Sequence, residues 1–136
     1  MTIPVTIPAL VVDDSTVVRK VARRILEKHG FSIREAADGQ QALDAVAEDM
    51  PRLVLLDRNM PVMDGIEFLK RLRDTYGSSE PTVVMCTTEA AQDRIMEGLE
   101  AGADEYVMKP FDEAILMDKL SMVGLAPEGF DPDAPG

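Results

Sequence analysis

The sequence predicts an α/β domain: five parallel strands in one doubly wound sheet, with helices on both faces. Three observations carry that expectation. Short apolar runs alternate with amphipathic segments along the whole chain. Three of those runs are continuous, apolar and bounded by polar or turn residues, as strands buried on both faces are. The segments between them begin with capping side chains and carry apolar residues at helical spacing. Alternation of this kind gives strand-then-helix units, (βα)5, joined by right-handed crossovers.

The elements follow in order. "ALVVD" (9–13) is the first strand. In "STVVRKVARRILEKHG", Val18, Val21, Ala22, Ile25 and Leu26 fall at i, i+3, i+4, i+7 and i+8, with Ser15 as N-cap and Gly30 just past the C-cap. "FSIRE" (31–35) is more mixed and suits a sheet edge. Asp38-Gly39 opens the second helix, "QQALDAVAEDM". "LVLLD" (53–57) is a buried strand, and Asp64-Gly65 opens "IEFLKRLRDTY", with Asp64 read as an N-cap rather than a ligand. "TVVMCT" (82–87) is the fourth strand, followed by Thr88-Glu89 ahead of "AAQDRIMEGLEAG". "DEYVMK" (104–109) is mixed and suits the other edge. Pro110 and then Asp112 open "EAILMDKLSMVG". Residues 8–125 form the expected domain. The tail at 126–136 is rich in Pro, Gly and acid, with Phe130 as its one apolar anchor, and reads as a flexible extension or a linker.

Composition narrows the function. A chain of 136 residues, 46% hydrophobic and 29% charged, fits one compact domain. Its 25 acidic against 14 basic side chains leave a formal charge of -11, which opposes general attraction to DNA or an anionic membrane. No apolar run approaches ~20 residues, and the N-terminus lacks a basic stretch ahead of its apolar one, so neither membrane insertion nor secretion is expected. A cytoplasmic location follows. Cys86 is the lone cysteine, which excludes an internal disulfide and a thiolate metal cluster; it reads as a small buried hydrophobe. The turn after the first strand, "VVDDSTVVRK", has no glycine where a dinucleotide's pyrophosphate would need one, and no Walker-type loop occurs.

Polar residues gather where the strands end. Asp13 and Asp14 close the first strand, Asp57 the third, Thr87 the fourth and Lys109 the fifth. In open α/β sheets, sites form at that edge. With the first and third strands adjacent, roughly 5 Å apart, three carboxylates meet in one cleft. Unpaired they would repel, and at least one pKa would rise. Mg²⁺ resolves the conflict, because it takes oxygen ligands and leaves room for a phosphoryl oxygen. The Lys109 ammonium and the Thr87 hydroxyl complete a set able to stabilise a phosphoryl group on a carboxylate.

The stretches "VVDDS", "LLDRNMPVMDG", "MCTTEA" and "YVMKPF", in this order and at these separations, resemble the response-regulator receiver family over about residues 8–125. The chain is most similar to the stand-alone chemotaxis (CheY-like) type. The resemblance implies a flavodoxin-like sheet of order 2-1-3-4-5. It also implies Asp57 as phosphoacceptor, Asp13, Asp14 and Asp57 as metal carboxylates, and the Asn59 backbone carbonyl as a further Mg²⁺ ligand. Thr87 and Lys109 would contact the phosphoryl group, Tyr106 would be the aromatic switch, and the bond before Pro110 would be cis, aiming Lys109 into the site. Asn59 and Glu89 would tune how water reaches the acyl phosphate, as in regulators with short-lived signals. The implied partners are a histidine kinase or histidine phosphotransferase and a downstream protein, met by a monomer through the surface of the fourth helix, fifth strand and fifth helix. Such a protein accepts and loses phosphate on itself and is not a turnover enzyme.

Two other classes share parts of this pattern. Aspartate-nucleophile phosphohydrolases carry Asp-x-Asp on one strand, whereas the position two beyond Asp57 is Asn59, and no cap domain fits. Phosphorylation-independent pseudo-receivers tend to lose a metal carboxylate or the lysine, and here all five residues are present. His29 is expected to face the dipole at the end of the first helix. Arg19, Lys20, Arg23 and Arg24 form a basic face on that helix, expected to be solvated, although in the family this helix often meets the phosphodonor.

Overall fold

The computed structural model describes residues 6–88 and 92–125, with only the backbone at 92–94. The elements are β1 (Ile7–Val12), α1 (Thr16–Lys28), β2 (Phe31–Ala36), α2 (Gly39–Glu48), β3 (Leu53–Asp57), α3 (Gly65–Tyr76), β4 (Thr82–Thr87), α4 (Gln92–Ala101), β5 (Glu105–Met108) and α5 (Glu113–Met122). All strand pairs are parallel, and the sheet order is β2-β1-β3-β4-β5. The two mixed strands are indeed the edges. β3 is buried at every position, while β2 alternates buried with exposed or half-exposed residues.

Local chemistry sets the helix boundaries. Ser15, Asp38, Asp64 and Asp112 each accept the backbone N–H three residues on, from Val18, Gln41, Glu67 and Ile115. Each such cap contributes about 1 kcal/mol. Gly30, at φ +91°, takes the left-handed conformation that ends α1. β1 begins at Ile7 and so runs through Pro8, earlier than the apolar run alone suggests. The Pro8 carbonyl accepts from Arg52 N–H at 2.9 Å. The missing proline N–H therefore faces the side where β3 has not yet begun, since pairing there starts at Ala9 and Leu53. The expected start of α4 at Thr88-Glu89 falls in part on residues outside those described, as does the tail at 126–136.

Alternation along the central strands feeds two cores. Ala9, Val11, Leu53 and Leu55 point to the layer under α1 and α5, with Leu26 and Leu116. Leu10, Val12, Val54 and Leu56 point to the layer under α2 and α3, with Val46 and Phe68. Burial on both sides makes a one-residue register slip prohibitive, so the polar strand ends line up at one edge. The peptide bonds Glu80–Pro81 and Lys109–Pro110 are cis. Among the described residues no helix is long and apolar enough to cross a membrane.

Candidate phosphoacceptor site

Strand register brings the acidic residues together. Val12 pairs with Leu56, so Asp13 and Asp57 leave adjacent strands side by side. Asp13, Asp14 and Asp57 can each offer an oxygen, all within 4.8 Å of one another. Asp13 and Asp57 are buried, at 3% and 5% exposure, whereas Asp14 is exposed, so the cluster opens to solvent on one side.

Lys109 joins the two buried carboxylates. Its Nζ donates to Asp13 Oδ2 at 2.7 Å and to Asp57 Oδ1 at 2.9 Å. Its backbone N–H donates to the Thr87 carbonyl at 2.8 Å, which ties the end of β5 to the end of β4. Asp57 Oδ1 also accepts the Asn59 N–H at 3.3 Å. Burial pushes the Asp57 pKa up; Lys109 pulls it down without cancelling the rise, and Asp13 adds repulsion. Burial alone would lower the Lys109 pKa, but hydrogen bonds to Asp13 and Asp57 raise it overall, so it is a fixed positive charge. Three carboxylates against one ammonium leave the charge of one divalent cation. The all-oxygen donor set, its spacing and its open side fit Mg²⁺.

The backbone around Asp57 is tightly held. Arg58 N–H donates to the Cys86 carbonyl at 3.0 Å, and the Arg58 carbonyl accepts from Gly65 N–H at 3.0 Å. A Cβ on Gly65 would sit 2.4 Å from the Asp57 carbonyl oxygen, so α3 can start this close only with glycine. Val62, 82% exposed, has φ +69° between Pro61 and Met63, whose C=O and N–H meet at 2.7 Å. That is a γ-turn of the strained kind, held in the loop after Asp57.

Thr87 is buried at the end of β4. Met85, two residues before it, faces the α3-side core, so by alternation Thr87 leans to that same face. Tyr106, opposite Met85 on β5, is half-buried against the same core, with Lys119 Nζ 4.6 Å above its ring. Glu89 lies outside the described residues.

Several side chains sit otherwise than the sequence suggests. Arg19 and Arg23 are not simply solvated, because both pair with Glu35 on β2. His29 caps α1, but its Nε2 meets Glu113 Oε1 of α5 at 2.9 Å. Arg58, to which the sequence pattern assigns no role, is 6% exposed and pairs with Glu97 on α4. A charged residue directly after a strand-ending Asp was the available signal, but nothing local names its partner.

The chain belongs to the response regulator receiver domain family, whose model matches residues 9–121. Among curated proteins it is 45% identical over 102 residues to the response regulator MprA of Mycolicibacterium vanbaalenii, covering 75% of this chain and 43% of that one. It is 40% identical over 127 residues to MprA of Mycobacterium sp. strain KMS, covering 93% and 54%. It thus spans about half the length of these relatives. Among solved structures, the chemotaxis response regulator CheY4 of Vibrio cholerae superposes with TM-score 0.82 at 33% identity, over 87% of this chain and 98% of that one. CheY in a CheX-CheY-BeF3-Mg²⁺ complex from Borrelia burgdorferi gives 0.81 at 28%, over 88% and 90%.

Proposed function

We propose that this receiver takes a phosphoryl group onto Asp57 from a phosphohistidine of a histidine kinase or histidine phosphotransferase. An Asp57 carboxylate oxygen attacks phosphorus in line. The new O–P bond forms as the N–P bond breaks, and the imidazole leaves with the bonding pair and takes up a proton. Asp13, Asp14, Asp57 and the Asn59 carbonyl would hold Mg²⁺, which would supply charge neutralisation at the phosphoryl oxygens. Lys109 already bridges Asp13 and Asp57 and can transfer its hydrogen bond to the arriving group. That bridge, beside an exposed third carboxylate, is the observation that carries the reading.

An apolar hollow of about 210 Å³ lined by Val17, Val21, Pro110 and Phe111 flanks Lys109, and it suits the helix that presents the donor histidine. Val17 is 71% exposed there. Such donors work in the cytoplasm, where we place this domain, and it acts as a monomer and a stoichiometric acceptor with no separate substrate. Asn59 and Glu89 favour rapid loss of the phosphoryl group.

Output in this proposal passes through a protein-binding face, as in the chemotaxis mode. The Thr87 hydroxyl moves toward the phosphoryl oxygen, a charge-assisted hydrogen bond worth roughly 1.5 to 3 kcal/mol. Tyr106 follows on the same face of the sheet and remodels the surface of α4, β5 and α5. A gain of that size shifts a two-state equilibrium about ten- to a hundredfold. Support comes from Tyr106, which packs on the same core as Met85, the face that Thr87 shares by alternation.

Intact mass after incubation with acetyl phosphate and Mg²⁺ tests the chemistry. Wild type should gain one phosphoryl group, and Asp57→Asn or EDTA should abolish the gain. Equal labelling of both proteins would sink the assignment. Unlabelled wild type that still binds a partner would favour the pseudo-receiver. Thr87→Ala should accept phosphate yet lose NMR shift changes across residues 95–122.

A further inference from the structure

Asp13 is fixed at four atoms. Its N–H donates to the Ala36 carbonyl at 3.1 Å. Its Oδ1 accepts from Ser15 N–H at 2.8 Å, and its Oδ2 from Lys109 Nζ at 2.7 Å. The fourth restraint comes from a long side chain: Arg19 Nη1 donates to the Asp13 carbonyl oxygen at 2.6 Å.

Arg19 is itself anchored. Its side chain is 15% exposed, its Nε donates to Glu35 Oε1 at 3.0 Å and its Nη2 to Thr16 Oγ1 at 3.3 Å. Glu35 accepts from Arg23 as well. Burial would raise the Glu35 pKa, but the hydrogen bonds from Arg23 and Arg19 hold it below the usual carboxylate range, so the anchor stays ionised. The planar guanidinium therefore spans from an edge strand to the peptide that joins Asp13 to Asp14. Fixing that carbonyl fixes the peptide plane, and with it the position of the Asp14 Cα from which the exposed side chain leaves the backbone.

We infer that Arg19, held by Glu35, is a positioning residue for the acidic cluster: it orients the Asp13–Asp14 peptide so that both carboxylates can meet one divalent cation with Asp57. The inference rests on the reading of these three carboxylates as a Mg²⁺ site. It has a signature that bulk electrostatics lacks. A guanidinium beside the cluster repels a divalent cation, so charge alone predicts that removing it tightens Mg²⁺ binding. Positioning predicts the opposite.

The test is the Mg²⁺ dissociation constant of the full chain, measured by calorimetry and by NMR titration of backbone amides, with thermal unfolding of the Mg²⁺-free protein alongside. Arg19→Gln should weaken Mg²⁺ roughly tenfold while the Mg²⁺-free protein stays folded. Arg19→Lys keeps the charge but cannot make the same fork, so it should rescue only part of the loss. Glu35→Gln, which loosens the anchor while leaving Arg19 in place, should weaken binding by a smaller factor; because loss of a carboxylate also weakens a cation by charge alone, the charge-conserving Arg19→Lys carries the test if Arg19→Gln does not fold. Wild-type affinity or tighter in Arg19→Gln, or in Arg19→Lys where that variant carries the test, overturns the inference and leaves the metal site standing. Wild type that does not bind Mg²⁺, or binds it as well after Asp14→Asn, overturns the site itself and the inference with it.

Discussion

The helices α3 and α4 lie on the same side of the sheet but are seated very differently. α3 starts on a capping Asp64, brings Gly65 against the Asp57 carbonyl, and buries Ile66, Phe68, Leu69 and Leu72. Among the residues of α4 whose burial is described, only Gly98 is buried, with Ile95 and Leu99 half-covered and Met96 exposed. Its described polar tie to the loop after Asp57 is the Arg58–Glu97 pair. The helix beside Asp57 is thus built into the core, and the helix of the proposed output face rests on it. Elements that move in switching come from the weakly held end of a structure.

Core truncation should expose the contrast most strongly. Phe68→Ala removes a fully buried ring and should cost about 3–5 kcal/mol in urea unfolding. Leu99→Ala, on the half-covered face of α4, should cost about 1 kcal/mol. Equal losses would mean that α4 is as firmly packed as α3.

Mg²⁺ should act next, and on the firm side. At a hundred times its dissociation constant it should stabilise wild type by about 2.7 kcal/mol, and Asp57→Asn by clearly less. Without Mg²⁺ the sign reverses. Burial, with repulsion from Asp13, holds the Asp57 pKa above its ordinary value despite Lys109. A carboxyl raised on folding favours the native state below its unfolded pKa, and that advantage is lost as pH rises through the folded one. Mg²⁺-free Asp57→Asn should therefore be more stable than wild type at pH 7, with the gap narrowing as pH falls through the raised folded pKa and closed by about 3.9. Thermal melts across pH read both effects.

Most of the framework was legible because its signals are local. Strand runs, the four caps and Gly30 depend on neighbours within three or four residues, and the matching stretches supplied the acidic cluster, Thr87 and Lys109 as a set. What escaped was the choice of partner across sequence. Arg19 and Glu35 are 16 residues apart, Arg58 and Glu97 39, and His29 and Glu113 84. A basic helical stripe looks solvated until β2 delivers a carboxylate to it. Likewise Gly65 looks like an ordinary residue at a helix start until α3 is seen against the Asp57 carbonyl.

Paired glycine substitutions come third in size. Gly65→Ala would force a Cβ to 2.4 Å from backbone oxygen, and overpacking of this kind costs about 1–3 kcal/mol. It should also displace Asp57 and slow phosphorylation. At Gly98 a Cβ would meet only the flexible Met85 side chain, at 3.7 Å. Gly98→Ala should therefore stabilise by about 0.5–1 kcal/mol through helix propensity. Urea midpoints that move in the same direction for both variants would break the comparison.

The smallest expected effect is the most local. Glu97 is half-exposed, and Arg58 has interactions beyond it, so Glu97→Gln should change global stability by under about 1 kcal/mol. The pair spans from the residue after Asp57 to the middle of α4, so its loss should be felt where α4 is held and not where α3 is. Amide hydrogen exchange across 95–101 should therefore speed up while exchange across 66–72 stays unchanged. Exchange that accelerates equally in both helices would mean that the pair stabilises the whole domain. Exchange unchanged in α4 would mean that its seat depends on Ile95, Leu99 and the sheet beneath them, with Arg58 held by its other partners.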